Sequence, residues 1–210
     1  MTGFLEKILN VIFPKEISVL ELEQMSPEGL LTSLPLSQES ATAGVASIFL
    51  YKDKRVKTLI HEIKYNRNKI LLEKTGKILA DRAIGFFEES LVFGKNKIYL
   101  IPIPSSHSRE NLRGYNPPEE LAKEIETNYP ESFKTKPILI KIRETNRQAR
   151  LSRSERLTNL KGAFAVSANA PTGMAIIVDD ISTTGATISE AKSVLENSNI
   201  KVMGAIVIAH

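Results

Sequence analysis

The sequence predicts an α/β fold, in which a mostly parallel central sheet has helices on both faces. Two observations carry this prediction. Short apolar, β-branched runs alternate along the chain with segments of helical periodicity, as is typical of strands and crossover helices. In addition, an apolar run from Met174 to Val178 leads through two aspartates into a hydroxyl-bearing loop and then a helix.

The composition limits the classes of protein that need to be considered. The chain has 210 residues, no cysteine and a formal net charge of +4. This length suits one domain, expected at residues 46–210, with an N-terminal extension at residues 1–45. The lack of cysteine excludes disulfides and thiolate metal sites and fits a cytoplasmic protein. No apolar run reaches transmembrane length, and the first residues do not make a convincing signal peptide.

The N-terminal extension is the least readable part. Residues 3–13 place apolar side chains on one helical face, and Pro14 ends the run. Such a helix binds a membrane surface or a partner, or it docks on its own domain, and we favour the docked helix. Residues 15–45 show no clear periodicity, so they are assigned to a loop-rich segment.

The first strand and two helices follow. Val45 to Tyr51 predicts a strand, after which Asp53 caps a helix with apolar residues at helical spacing. A second helix is predicted from about Lys69 to Glu89. Its expected buried stripe is Ile70, Ile78, Leu79, Ala83, Phe86 and Phe87.

A strand predicted over residues 97–104 runs into a loop rich in hydroxyls and arginine, residues 105–116. Arginine can hold phosphate oxygens in a bidentate manner, so the loop is either a pyrophosphate site or a solvated polar loop. A helix is predicted from Pro117, and strands are predicted over residues 138–142 and 164–166. Between these strands, residues 143–150 have no apolar face, and basic residues recur at Arg153 and Arg156. A helix is predicted from about Ser152, where Glu155 completes a capping box.

The segment after Val178 holds the residues with the clearest chemistry. Ligands of open α/β sheets bind where a strand ends and a helix begins, and free N–H groups there favour phosphate. Thr183, Thr184 and Thr187 offer hydroxyls, and Gly185 allows close approach of the backbone. The two aspartates suit sugar hydroxyls or a hydroxyl-bound metal. A helix follows, with Ile188, Ala191, Val194 and Leu195 on one face, and residues 201–209 predict a final buried strand.

This segment resembles the motif by which type I phosphoribosyltransferases bind phosphoribosyl pyrophosphate (PRPP). It has an apolar strand, two acidic residues, two variable residues and then Thr-Thr-Gly-x-Thr. An ordinary strand–turn–helix junction with a threonine N-cap is the alternative interpretation. The resemblance implies the type I phosphoribosyltransferase fold, with a small N-terminal hood or extension.

Further segments resemble one subgroup, the competence-associated ComF family. They are Tyr51 to Tyr65, Pro102-Ile103-Pro104 with Arg113-Gly114-Tyr115-Asn116, and Gln148 with Leu151, Arg156, Asn159 and Phe164. Members of this family commonly carry a four-cysteine zinc module after a Phe-Pro pair. Here Lys15-Glu16-Ile17-Ser18 follows Phe13-Pro14, so the module is degenerate and no zinc is expected.

The resemblance implies a role for each segment. Asp179 and Asp180 would hold the ribose hydroxyls and are expected, with Arg113, to be catalytic. The 5′-phosphate loop would comprise Ser182, Thr183, Thr184, Gly185, Ala186 and Thr187. Pyrophosphate would contact Ser105, Ser106, Arg109 and Arg113, and Arg147, Gln148 and Arg156 would belong to a mobile lid. Mg²⁺ would enter with PRPP and would involve Asp179 and Asp180.

Two functions remain open from the sequence. The first is a phosphoribosyltransferase that transfers from PRPP to an unidentified small-molecule acceptor, with nitrogen as the expected nucleophile. The second is a non-catalytic protein of the same fold that binds PRPP or a nucleotide, or that assists DNA uptake in competence. The few aromatic residues in the basic loops weaken the DNA interpretation. The sequence is also compatible with a homo-oligomer.

Overall fold

The computed structural model describes residues 17–37, 44–88, 97–106, 113–143, 160–168 and 170–210. Three expectations fall outside these ranges: the helix over residues 3–13, the helix from Ser152, and the middle of the loop after residue 106. At the predicted sites, the residues outside the described ranges are Arg109, Arg147, Gln148 and Arg156. Among the helices within those ranges, none combines the length and the apolar character required to cross a membrane.

The described part of the chain contains both helices and strands. In chain order they are α1 (Ile17–Gln24), α2 (Pro27–Ser33), β1 (Val45–Phe49), α3 (Lys54–Tyr65), α4 (Lys69–Phe86), β2 (Ile98–Pro102), α5 (Pro117–Asn128), β3 (Phe133–Thr135), β4 (Leu139–Lys141), β5 (Phe164–Val166), β6 (Gly173–Ile181), α6 (Ala186–Glu196) and β7 (Ile200–Ala209).

A five-stranded sheet forms the centre of the described residues, in the order β1-β7-β6-β2-β3. Every neighbouring pair in it is parallel. Side chains of β6 alternate between the two faces, as the two-residue period of a strand requires. Ile176 and Val178 pack with helices α1 to α5, whereas Ala175 and Ile177 pack with α6. The predicted α/β fold with a parallel sheet covered on both faces is therefore confirmed.

Local sequence signals set several helix boundaries. Asp53 caps α3, because its carboxylate accepts hydrogen bonds from the N–H groups of Arg55 and Val56. Helix α5 begins at Pro117, as predicted. The buried stripe predicted for α4 is confirmed at Ile78, Leu79, Ala83 and Phe87 and is wrong at Ile70 and Phe86, which are exposed. The helix also buries Leu71, Leu72 and Thr75, and it packs against α5 and the sheet.

Three further predictions need correction. Residues 17–33 are two helices rather than a loop-rich segment, because tertiary packing compensates for their weak periodicity. A three-residue strand at Phe133 was missed, since so short a run gives no readable alternation. Residues 139–141 and 164–166 do form strands, but they pair with each other as a separate antiparallel ribbon, outside the parallel sheet.

The two N-terminal helices share the core of the main sheet. Leu22, Leu30 and Leu34 are fully buried in the same apolar cluster as β1 and α3 to α5. The ammonium of Lys74 on α4 also donates hydrogen bonds to the carbonyls of Glu23 and Met25, at the junction of α1 and α2. Residues 17–34 therefore pack as part of the domain's core, and the division at residue 45 stays a prediction.

The strand order creates a crevice between β2 and β6. From β2 the chain runs through α5 to β3 on one side, and from β6 it runs through α6 to β7 on the other. The two loops that follow these neighbouring strands therefore diverge at the carboxyl edge of the sheet. Such a topological switch point is where open α/β sheets bind ligands.

Gly204 tests the close packing of β7 against Gly44, the residue that precedes β1. A Cβ at this position would lie 2.4 Å from the carbonyl oxygen of Gly44, a backbone atom that is held by the N–H of Ala205. We expect Gly204→Ala to lower the free energy of unfolding by at least about 2 kcal/mol, measured by urea denaturation. Gly85→Ala in α4 is the control, because a Cβ there meets nothing within 4 Å. It should stabilise the protein by about 0.5–1 kcal/mol; equal effects of the two substitutions would contradict this packing.

Candidate functional site

Asp179 and Asp180 lie at the carboxyl end of β6, beside the switch point. Each residue is only 8% exposed. The backbone N–H of Asp180 donates a 2.8 Å hydrogen bond to the Oδ1 atom of Asp179. Two neighbouring carboxyl groups that are this buried are costly to ionise together, so they need a cation or a hydrogen-bonding ligand.

Among the described residues, the cation that contacts the aspartate pair is Lys64, in the last turn of α3. Its Nζ atom lies 2.9 Å from the Oδ1 atom of Asp180, and its side chain is 20% exposed. Burial lowers the pKa of Lys64, but the charges of Asp180 and Asp179 outweigh burial and hold the pKa above its usual value. Lys64 is therefore a charged member of the site. No sequence signal predicted a role for Lys64 in the site, although Lys64-Tyr65 ends one of the ComF-like segments.

The two aspartates differ in their surroundings. Burial and the charge of Asp180 raise the pKa of Asp179 to about 8, although Lys64 and the N–H of Asp180 work in the opposite direction. Near neutral pH, Asp179 therefore holds a proton in the free protein, and Lys64 balances the charge of Asp180. A protonated carboxyl group beside an ionised one can both donate to and accept from a sugar diol.

This arrangement predicts an unusual dependence of stability on pH. The pKa of Asp179 is near 8 in the folded protein and about 3.9 in the unfolded chain. Between these values the folded state binds more protons than the unfolded state, so stability falls as the pH rises through this window. Asp179→Asn should remove this loss and be more stable than the wild type at pH 8, by on the order of 2–4 kcal/mol.

Urea denaturation of both proteins at pH 5 and pH 8 tests this prediction. The advantage of the variant should be small at pH 5 and should grow toward pH 8. Two other charged groups face Asp179, namely Asp180 and Lys64, and both are present in the wild type and in the variant. Parallel pH dependences for the two proteins would show that Asp179 titrates normally.

The loop between β6 and α6 brings together the predicted 5′-phosphate residues. Ser182 is buried, and its N–H donates a 3.0 Å hydrogen bond to the carbonyl of Ala209, which fixes the start of the loop against β7. Gly185 is the N-cap of α6 and has a left-handed φ of 73°. It has no side chain to cap the helix, and the N–H of Ala186 lies 3.4 Å from the hydroxyl of Thr184. The loop thus places hydroxyl and N–H donors at a helix N-terminus, where an anion is favoured.

The loop after β2 lies on the other side of the switch point. The N–H of Ile103 donates to the carbonyl of Val178, which keeps the two strand ends side by side. The hydroxyl of Ser105 lies 2.9 Å from the Oδ1 atom of Asn116, whose amide donates to the carbonyl of Ile103. Ser106 is also buried. Asn116 thus folds the end of this loop back onto its beginning, and the loop lies at the same edge of the sheet as the aspartates.

Two arginine–tyrosine contacts connect this loop to the end of α3. The guanidinium of Arg113 lies 4.4 Å from the ring centre of Tyr65, and that of Arg67 lies 5.1 Å from the ring centre of Tyr115. The hydroxyl of Tyr115 also donates to the carbonyl of Ile63. Arg113 is therefore positioned by the residue next to Lys64. The predicted aspartates and phosphate loop lie together at the end of β6, and Arg113 lies over Tyr65 at the end of α3. The predicted lid residues lie outside the described ranges.

The donor set suits Mg²⁺ that arrives with a substrate. In the described residues, no three or more His, Asp or Glu side chains are grouped as metal ligands. Carboxylate oxygens are ligands that Mg²⁺ prefers, and Asp180 and, once it loses its proton, Asp179 could supply them, but the pair cannot fill the coordination sphere alone. Water and substrate oxygens would have to complete it.

Comparison with known proteins gives one informative similarity. No family model matches the chain. Over 105 residues the chain is 33% identical to a Haemophilus influenzae protein named Competence protein F. The matched part covers 49% of this chain and 45% of the relative, so the chain spans about half the length of the protein it matches. The similarity supports the resemblance to ComF proteins, but it does not identify an activity.

Proposed function

We propose that this protein is a Mg²⁺-assisted phosphoribosyltransferase that uses PRPP as its donor substrate. The observation that carries the proposal is the arrangement at the carboxyl end of β6. There, a buried aspartate pair is followed directly by a hydroxyl-bearing loop with left-handed Gly185 at the start of a helix. One ligand that carries a sugar diol and a phosphate matches this arrangement, with the diol at the aspartate pair and the phosphate at the loop.

The residues would divide the donor between them. Asp179 and Asp180 would hold the ribose hydroxyls, and the loop from Ser182 to Thr187 would surround the 5′-phosphate with N–H and hydroxyl donors. Pyrophosphate would lie toward Ser105, Ser106 and Arg113, on the other side of the switch point. Arg113 can turn from the ring of Tyr65 toward an anion with little loss, because an exposed cation–π contact contributes only about 0.5–1 kcal/mol.

The chemistry follows from this placement. A nitrogen nucleophile donates its electron pair to C1 of the ribose, the bond from C1 to the pyrophosphate oxygen breaks, and pyrophosphate leaves with that electron pair. A neutral nucleophile then loses its proton to pyrophosphate or to solvent. Positive charge develops on the ribose in the transition state, so the protein contributes positioning and charge stabilisation. Mg²⁺, when bound, neutralises charge on the leaving pyrophosphate.

The acceptor is to be identified by assay. Release of pyrophosphate from PRPP should be measured with adenine, guanine, hypoxanthine, uracil, orotate and ammonia as separate acceptors. The proposal expects one class of acceptor to accelerate release well above the rate with PRPP alone. Binding of PRPP without turnover across this panel would favour a sensor or accessory protein of the same fold.

The name of the Haemophilus influenzae relative favours this second candidate, a competence-associated binding protein. In that role the site would hold PRPP or a nucleotide without catalysis, and a basic surface would contact DNA entering the cell. The protein's net charge of +4 is compatible with such contact. Binding of single-stranded DNA that weakens steeply with salt would support the role in DNA uptake. Lack of binding at low salt would remove it.

A further inference from the structure

Lys64 belongs to the helical layer but reaches into the site. It lies in the last turn of α3, where the negative end of the helix dipole favours a cation. From there its ammonium extends to Asp180, whose side chain is only 12% exposed. The contact thus joins two elements that are distant in sequence and occupies an oxygen that the proposed function assigns to the substrate.

A divalent cation and Lys64 would compete for the carboxylate of Asp180. An ammonium at 2.9 Å already occupies one side of the Asp180 carboxylate, and a metal ion bound there would be repelled by it at close range. An Mg²⁺ ion that arrives alone would have to displace Lys64 and leave its charge buried without a partner. That step is unfavourable because a buried, unpaired charge is costly.

A metal ion that arrives with a polyphosphate changes this balance. The residue next to Lys64 is Tyr65, which carries Arg113 of the proposed pyrophosphate loop over its ring. Polyphosphate held by Arg113 would therefore lie at the same end of α3 as Lys64. A displaced ammonium would find anionic oxygens there in exchange for the carboxylate.

We propose that Lys64 is a built-in counter-ion of the aspartate pair, which excludes free divalent cations and releases the pair only to a cation already bound to a polyphosphate. The proposal rests on the proposed function and adds a specificity-determining residue to it. Lys64 would pair with Asp180 in the free protein and with the polyphosphate in the complex. The site would then bind metal and polyphosphate together.

Titration with Mn²⁺ alone tests whether Lys64 excludes free divalent cations. The electron paramagnetic resonance signal of the unbound ion measures how much Mn²⁺ is bound. The wild type should bind Mn²⁺ only weakly, and Lys64→Met should bind it about tenfold more tightly or better. Lys57→Met is the matched control, because it removes the same charge from α3 at an exposed position over the ring of Tyr51. Its affinity for Mn²⁺ should equal that of the wild type. Adding Asp180→Asn to Lys64→Met should abolish the gain.

Binding of PRPP in the presence of Mn²⁺ tests whether Lys64 pairs with the polyphosphate in the complex. Here Lys64→Met should bind about tenfold more weakly than the wild type, so the variant moves the two affinities in opposite directions. Lys64→Arg, which keeps the charge, should stay near the wild type in both. If Lys64→Met does not fold, Lys64→Gln replaces it with the same expectations.

The outcomes separate this inference from the proposed function. Micromolar binding of Mn²⁺ by the wild type, or unchanged Mn²⁺ affinity in folded Lys64→Met or Lys64→Gln, overturns the counter-ion role even if PRPP binds. A gain in Mn²⁺ affinity without a loss of PRPP affinity overturns the transfer of Lys64 to the polyphosphate. If the wild type does not bind PRPP at all, the proposed function fails, and the Mn²⁺ comparison still decides whether Lys64 excludes free metal.

Discussion

Asp180→Asn should reduce PRPP-dependent release of pyrophosphate by at least about a hundredfold. The variant should still fold but be less stable, because Lys64 loses its carboxylate partner. Asp180 is buried at the carboxyl end of β6, pairs with Lys64 and is next to the phosphate loop. An amide keeps the shape of the carboxylate, but it cannot hold a ribose hydroxyl through a charged acceptor or balance Lys64. Steady-state release of pyrophosphate, measured with the best acceptor from the panel, gives the result.

Asp81→Asn is the control for this substitution. Asp81 is an aspartate on α4 whose half-exposed side chain contacts Lys77 and Tyr129 on the surface. Its loss should leave the rate within about twofold of the wild type, since surface pairs contribute little. A rate for Asp180→Asn that equals the rate for Asp81→Asn, with both proteins folded by circular dichroism, would remove Asp180 from the mechanism.

Gly185→Val should weaken PRPP binding by about a hundredfold or more. Gly185 has a φ of 73° at the start of α6, a conformation that costs a β-branched residue at least about 1–2 kcal/mol. The valine side chain would also enter the loop that is expected to surround the 5′-phosphate. Calorimetric titration with PRPP and Mg²⁺ measures the effect, and a melting curve measures the cost to the fold.

Gly44→Val separates strain from ligand contact. Gly44 also has a positive φ, of 91°, but it precedes β1 at the opposite edge of the sheet. A Cβ there meets nothing closer than Gly204 at 3.9 Å. Gly44→Val should therefore lower stability and retain PRPP affinity. Equal affinities for Gly185→Val and the wild type would show that the phosphate does not bind at this loop.

Part of the site could be predicted because its residues are contiguous. Asp179 to Thr187 contains the strand end, the acidic pair, the loop and the helix start within one stretch of sequence. Strand and helix periodicities place such a stretch without knowledge of the tertiary fold. The same logic placed Ser105 and Ser106 after a strand, and the structure shows that β2 and β6 are neighbours.

Lys64 shows what sequence reasoning could not reach. Periodicity places Lys64 beside Ile63 at the end of an amphipathic helix, where a lysine is usually solvated. Its contact with Asp180 depends on the angle at which α3 lies on the sheet, and no local signal encodes that angle. The raised pKa of Asp179 was hidden for the same reason, since it depends on burial and on both neighbours. Only the ComF-like segment ending in Lys64-Tyr65 hinted at a role.

The errors in the fold have a similar origin. Ile70 and Phe86 lie at the two ends of α4, where no local signal shows how far the neighbouring elements cover the helix, and both are exposed. The pairing of β4 with β5 depends on which strand edges meet, and each has only three residues. Long strands with strong periodicity, such as β6 and β7, were predicted correctly in type and position.

Calorimetric titration of the wild type with PRPP and Mg²⁺ shows whether the site binds the proposed donor. We expect one PRPP per chain, with a dissociation constant of about 1 μM–1 mM, competition by ribose 5-phosphate, and loss of binding in Gly185→Val. If a folded wild-type protein shows no binding at millimolar PRPP, the aspartate pair and its loop do not form a PRPP site, and the proposed function is wrong.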